Sequence, residues 1–324
     1  MEVGISIGIA LFPEHADSES KLMQCADVAM YAAKKGTHAI QAYDRDKDHN
    51  NVRNLTLSGG LRQAIEGNQL SLEYQPKLDL QTRAICSVEA LARWIHPTQG
   101  LIPPDDFVPQ AEQTGMIQPF TRWSFNAAFA QVAEWQQAGI NMSLALNLST
   151  RSLHDEELPG IVASLLGEWQ INPHLITLEL TESAVMLDPD GALKNLRRLH
   201  DLGLRLSIDD FGTGYSSLSH LQRLPLDELK IDKSFVVNMT TSDHDMVIVR
   251  STIDLAHNLK LKVVAEGVES EEHIEALDDL GCDLGQGFFI AKPMPIDLLD
   301  DWLGQTRWQI DRHIDAAAVA SMSA

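Results

Sequence analysis

Oxygen-bearing side chains recur along this chain at or just after short apolar runs. Glu89 and Arg93 stand in Ser87-Val88-Glu89-Ala90-Leu91-Ala92-Arg93-Trp94, and Asn147 closes the run from Ser143. Glu179 and Glu182 stand in Leu178-Glu179-Leu180-Thr181-Glu182, followed by the pair Asp209-Asp210, then Lys230, Glu266 and Gln286. Carboxylates converging on one mouth would repel one another and would be costly without cations. Oxygen donors without His or Cys select a hard ion, Mg²⁺ or Mn²⁺, over zinc. The acids suffice for two ions sharing Asp209. Such a pair, about 3.5–4 Å apart, activates a water and stabilises the leaving oxygen of a phosphodiester. Lys230 among the acids could orient the attacking group or offset developing charge, and Arg93 could hold a phosphate oxygen. The chemistry this suggests is metal-dependent hydrolysis of a phosphate ester. A structural ion site, or an acidic mouth with another use, stays open, and Asp232 or Glu269 alone is as well explained as a helix N-cap.

The elements that would position these groups follow from the pattern. Short apolar strands are expected at Leu70–Gln75, Ile85–Arg93, Ser143–Leu148, Ile176–Leu180, Arg205–Ile208, Glu228–Ile231, Lys262–Ala265 and Leu284–Phe288. Amphipathic helices are expected between them, at Phe120–Ala138, Ala192–Leu202, Asp245–Leu259 and Glu271–Leu280. Strand and helix alternating over about 250 residues predict an α/β fold, a (β/α)₈ TIM-like barrel with functional groups at the C-terminal strand ends. The connection Lys77–Arg83 is too short for a parallel crossover, so the first strand should run antiparallel. Three zones result: 1–44, with one strand and one helix; 45–67, a polar linker and a leading helix from Val52 to Glu66 stopped by Gly67; and 68–324, the barrel.

Composition bounds the partners. The 324 residues carry 46 acids against 25 bases, a formal charge of −21. That balance excludes a surface that coats DNA or RNA, and docking on an anionic membrane. No apolar run approaches about 18 residues, and Met1–Ala10 does not read as a signal peptide. Three widely spaced cysteines, Cys25, Cys86 and Cys282, read as reduced, buried thiols of a cytoplasmic protein rather than a disulfide framework. Trp123, Trp135 and Trp169 fall on helical patterns and read as core or half-buried.

On these residues the sequence resembles EAL-domain phosphodiesterases, which hydrolyse cyclic di-GMP. The namesake motif stands as Glu89-Ala90-Leu91. It is joined by Tyr74-Gln75-Pro76, Asn147-Leu148-Ser149, Glu179-Leu180-Thr181-Glu182, Asp209-Asp210-Phe211-Gly212-Thr213-Gly214, Leu229-Lys230-Ile231-Asp232, Ala265-Glu266-Gly267-Val268-Glu269 and Gly285-Gln286-Gly287-Phe288. The resemblance implies two Mg²⁺ or Mn²⁺ ions and one cut of the ring to linear pGpG. It implies that Glu89, Asn147, Glu179 and Asp209 hold the first metal, that Asp209 bridges to the second, and that Asp210 lies beside it. Lys230 would hold the nucleophilic water, and Glu266 would act as general base or a further metal-site carboxylate. Gln75, Leu91, Arg93 and Gln286 would contact substrate or water. Glu182 would brace the loop after the fifth strand, where Gly212 and Gly214 permit movement, and a homodimer is expected near that loop.

Zone 1–44 resembles the end of a GGDEF (diguanylate cyclase) domain, through Ser6-Ile7-Gly8-Ile9-Ala10 and Ala26-Asp27-Val28-Ala29-Met30-Tyr31-Ala32-Ala33-Lys34. Its namesake motif is absent, so no cyclase activity is expected, and an upstream GGDEF and sensor region of a longer parent protein is implied. Two rivals to the enzyme are a non-catalytic cyclic di-GMP receptor of the same fold and a barrel hydrolase for another phosphodiester.

Overall fold

Period-two alternation decides how the strands are used. Leu144 and Leu146, Ile176, Leu178 and Leu180, Leu206 and Ile208, Leu229 and Ile231, Val263 and Ala265 all join one buried apolar cluster. Helix residues Phe125, Phe129, Val132, Leu196, Leu199, Ile253 and Ile274 belong to the same cluster. The other set, Thr177 and Glu179, Ser207 and Asp209, Glu228 and Lys230, lines the interior of the sheet. Burying one such Leu or Ile contributes about 2 kcal/mol, so the layer between sheet and helices holds the fold while the interior stays free for polar groups.

The computed structural model describes residues 7–16, 18–35, 40–44, 60–140, 142–212 and 221–310. Its strands are β1 (Ile7–Ile9), β2 (Ile40–Ala42), β3 (Leu70–Asp79), β4 (Ala84–His96), β5 (Gly100–Ile102), β6 (Ser143–Asn147), β7 (Ile176–Thr181), β8 (Arg205–Phe211), β9 (Glu228–Ile231), β10 (Lys262–Glu266), β11 (Leu284–Gln286) and β12 (Gln309–Ile310). Eight of them, β3, β4 and β6 to β11, close into a barrel through the β4–β6 pairing. β3 is antiparallel to both neighbours, β4 and β11. The other barrel pairings are parallel. The expected barrel with an antiparallel first strand is therefore the observed one.

The boundaries differ in one place that matters. β3 runs on to Asp79, so the first connection is the tight turn 80–83 and not the stretch from Lys77. Lys77 is a strand residue inside the barrel, 1% exposed. At the N-terminal zone a second strand, β2, pairs parallel with β1 around the helix Glu19–Lys35, and Ala16, Cys25, Ala29 and Tyr43 form a small cluster of their own. The leading helix is described over 60–66, and its expected start at Val52 lies outside the described residues. It ends at Gly67, where a Cβ would meet the Gln63 carbonyl oxygen at 2.6 Å, and Asn68 takes the left-handed turn at φ 54°.

Among the described residues no helix is long and apolar enough to cross a membrane. The cysteines are free; Cys25 and Cys282 are buried and Cys86 is half-buried. Burial pushes the Cys86 and Cys282 thiols up to about 12. Trp135 is buried, and Trp123 and Trp169 pack half-buried against the core.

Candidate active site

Successive strand residues face opposite sides, so Asp209 and Asp210 at the end of β8 should diverge. They do not. The β8–β9 register shifts between Ile208 and Phe211, and Asp210 takes a left-handed backbone, φ 56°. That conformation is uncommon outside glycine, though Asp tolerates it better than most. The irregularity re-aims the second side chain, and ligand oxygens of Asp209, Asp210 and Glu266 lie within 4.8 Å of one another.

Lys230 stands at the centre of the mouth, fully buried. Its Nζ lies 2.7 Å from Glu179, 2.7 Å from Glu266, 3.2 Å from Asp209 and 3.5 Å from Glu89. Asn147 donates its amide to Glu89 Oε1 at 2.6 Å, leaving its carbonyl oxygen as a potential ligand atom. Gln286 donates to Glu89 Oε2 at 2.8 Å and to Gln75 Oε1 at 2.9 Å, and Gln75 donates to the Ala291 carbonyl at 3.1 Å. Gln286 Oε1 is buried without a hydrogen-bond partner among the described residues. The chain just after it is packed closely: a Cβ on Gly287 would fall on the Val268 backbone.

The electrostatics follow from this crowding. Burial, then the neighbouring Glu179, raises the Glu89 carboxyl. Burial first raises Asp209 and Asp210 as well, with Asp232 adding to the shift of Asp210. Burial, with Asp209 and Glu89 alongside, pushes Glu266 up to about 7. Glu179 is the exception: burial works upward, but Lys230 and Lys77, both hydrogen-bonded to it, hold it at about 2. Burial alone would lower Lys230, yet the four carboxylates keep it well above its ordinary value.

The donor set fits divalent cations. Glu89, Glu179, Asp209, Asp210 and Glu266 outnumber the buried Lys230 and Lys77, leaving net negative charge for divalent ions to offset. Every donor is oxygen, and carboxyls raised by crowding gain when a cation joins them. Glu89, Asn147, Glu179 and Asp209 could hold one ion, and Asp209, Asp210 and Glu266 a second.

The remaining expected residues are distributed around this centre. Arg93, half-buried, donates Nε to Glu73 Oε2 at 2.7 Å. Leu91 is half-buried on β4, opposite Glu73 in register. Glu182 is buried and accepts from the Gly212 N–H at 3.4 Å, and Gly212 has φ 99°. Gly214 lies outside the described residues. Asp232 caps the helix Lys233–Val236, but at the next strand end the cap is Ser270, not Glu269.

Two residues escaped the sequence reading. Lys77 donates to Glu179 Oε1 at 2.6 Å and to Glu228 Oε1 at 3.4 Å. Glu73 engages Arg93. Both fall in the alternating set Glu73, Gln75, Lys77 of β3, and extending that alternation past Pro76 would have found Lys77.

Residues 59–293 match the EAL domain family. The bifunctional diguanylate cyclase/cyclic di-GMP phosphodiesterase MucR of Pseudomonas aeruginosa is 41% identical over 301 residues, 92% of this chain and 44% of that protein. The cyclic di-GMP phosphodiesterase PdeR of Escherichia coli is 39% identical over 298 residues, 92% of this chain and 45% of its own length. The chain thus spans less than half the length of these relatives. The solved PaMucR phosphodiesterase in complex with c-di-GMP superimposes with a TM-score of 0.73 at 43% identity, covering 75% of this chain and 99% of that one. The barrel, its antiparallel first strand and the motifs at its mouth belong together, and the chain is a member of the EAL-domain family.

Proposed function

We propose that the barrel hydrolyses cyclic di-GMP to linear pGpG with two divalent cations, Mg²⁺ or Mn²⁺. The observation that carries this reading is the buried Lys230, tied to four carboxylates at the mouth, beside Asp210. The relatives named as cyclic di-GMP phosphodiesterases support the substrate.

In this mechanism water attacks one phosphorus of the ring, the P–O3′ bond breaks with its electron pair passing to O3′, and that oxygen takes a proton from solvent and leaves as a hydroxyl. When bound, the two cations supply the Lewis acidity that makes water a nucleophile at neutral pH and offsets charge on the phosphate. Lys230 Nζ donates a hydrogen bond to the attacking water and fixes its line of approach. Glu266, 2.7 Å from Lys230 Nζ, takes up the water's proton as general base, leaving Asp209 and Asp210 to the second cation. Arg93 exchanges its Glu73 partner for a non-bridging phosphate oxygen, gripping it by charge-assisted hydrogen bonds. Gln75 and Gln286 orient Glu89 and contact substrate or water, and Leu91 offers an apolar surface to it. Glu182, through the Gly212 amide, holds the end of β8 so that Asp209 and Asp210 stay together.

The same reading extends to the rest of the chain. Residues 1–44 are the end of a GGDEF domain, 45–67 a linker and leading helix, and 68–324 the phosphodiesterase unit. The protein acts in the cytoplasm as part of a longer signalling chain with upstream GGDEF and sensor regions, and it pairs as a homodimer near the loop after β8.

The test is a panel of cyclic and linear dinucleotides incubated with the purified chain and Mg²⁺ or Mn²⁺, with products separated by chromatography. Selective conversion of cyclic di-GMP to pGpG, lost in Lys230→Met, supports the reading. Tight binding of cyclic di-GMP without turnover would replace it by a receptor, and preference for another diester by a different hydrolase.

A further inference from the structure

Beneath the mouth the polar interior continues as a ladder of alternating charge. Glu228 and Lys230 sit two residues apart on one face of β9, about 7 Å along the strand. Lys77 Nζ reaches Glu228 Oε1 at 3.4 Å and Glu179 Oε1 at 2.6 Å. Lys230 Nζ takes the other oxygen, Glu179 Oε2, at 2.7 Å. Glu179 is therefore clamped between two ammonium groups, one per oxygen, with Lys77 on the side away from the mouth. Lys77 and the Glu179 carboxylate are almost wholly buried, at 1% and 0% exposure.

A buried ion pair is a weak source of stability, since desolvation offsets most of the attraction, and apolar side chains of similar size often serve as well. TIM barrels are ordinarily filled with branched apolar residues. A lysine kept at this depth calls for a role other than holding the barrel closed. We infer that Lys77 is a positioning residue: it fixes Oε1 of Glu179 from the closed end, so that the carboxylate presents Oε2 to Lys230 and the mouth. Without it, Glu179 is free to turn both oxygens onto Lys230 and to draw that ammonium down, away from Glu266 and Asp209. Partners that orient a ligand carboxylate typically affect cation affinity by about 10–100-fold. Glu228, at the longer distance and 13% exposed, lies at the outer end of the ladder and is not required for this.

The inference rests on the cation-dependent reading of the mouth, so its test separates the two. Mn²⁺ binding to the substrate-free protein is measured by calorimetry, alongside kcat and KM for cyclic di-GMP and melting temperature. The variants are Lys77→Met and Glu228→Gln, with Lys77→Gln as the substitute should the methionine variant fail to fold. The expected result is Mn²⁺ affinity and kcat both reduced about tenfold or more in the folded Lys77 variant, KM changed less than about twofold, and Glu228→Gln matching wild type in all three. A folded Lys77 variant that binds Mn²⁺ as tightly as wild type overturns the inference and leaves a structural role. Tighter binding also overturns it, because Lys77 would then act only as a repelling charge. Wild type that neither binds Mn²⁺ nor turns over substrate overturns the underlying reading instead.

Discussion

Asp209 and Asp210 bring their carboxylates to the same side of the barrel although they are consecutive in a strand, and Glu266 completes the group within 4.8 Å. The device is the left-handed backbone at Asp210, φ 56°, set in the β8 irregularity. The Asp210 N–H also donates to Asp209 Oδ1 at 2.9 Å, which holds the two in one orientation. Strained backbone of this kind collects at functional sites.

Asp210→Asn separates backbone from charge. Asn accepts the left-handed region as readily as Asp, so the variant should melt within a few degrees of wild type while turnover falls by about tenfold or more. Asp210→Val should lose stability as well, because a β-branched residue resists that φ. Melting curves and initial rates for the two variants check this; equal melting and equal activity in both would contradict it.

In the proposed mechanism Glu73 competes with the substrate phosphate for the Arg93 guanidinium. Both groups are partly open to solvent, so the pair itself contributes little to stability. Glu73→Gln should lower KM for cyclic di-GMP with little change in kcat. Arg93→Ala should raise KM about tenfold, a loss of about 1.4 kcal/mol in binding. Steady-state kinetics distinguish the two directions, and a raised KM in Glu73→Gln would contradict the competition.

Cation-free protein should have a stability maximum in mildly acidic solution. Glu266 is raised from 4.5 to about 7 on folding, so the folded state binds the extra proton and stability falls as pH rises through that window. Glu179 is lowered from 4.5 to about 2, so its contribution is present above 4.5 and is lost as pH falls toward 2. Chemical denaturation in EDTA should therefore show highest stability between these windows. Added Mg²⁺ should stabilise most at and above neutral pH, where Glu266 is ionised. A stabilisation that grows toward acid would contradict the assignment.

Cys86 and Cys282, held up to about 12 by burial, should react with iodoacetamide far more slowly than an exposed thiol at about pH 8, and at ordinary rates once the chain is unfolded. Mass spectrometry of the labelled peptides reads both rates. Rapid native labelling of Cys282 would contradict its burial against the Val263 and Leu284 carbonyls.

The barrel was legible because its strands alternate cleanly and each polar end follows an apolar run, which also marked Glu89, Glu179, Asp209, Lys230 and Glu266. Lys77 was hidden by Pro76, which reads as a strand end because it cannot donate to the ladder. In the fold Pro76 stays in register opposite Val88, and the irregularity falls just after Lys77. β2 was missed because Ile40-Gln41-Ala42 is too short to show a period. That Arg93 carries Glu73 follows from a diagonal neighbour across β3 and β4, a relation that no spacing along the chain records.

The most direct measurement is a single time course. Purified protein is held with cyclic di-GMP in EDTA, then Mg²⁺ is added in excess, with substrate and product followed throughout. No loss of substrate is expected before the addition, and conversion to pGpG after it. Equal turnover in EDTA, or intact substrate after Mg²⁺ with a folded protein, would contradict that expectation.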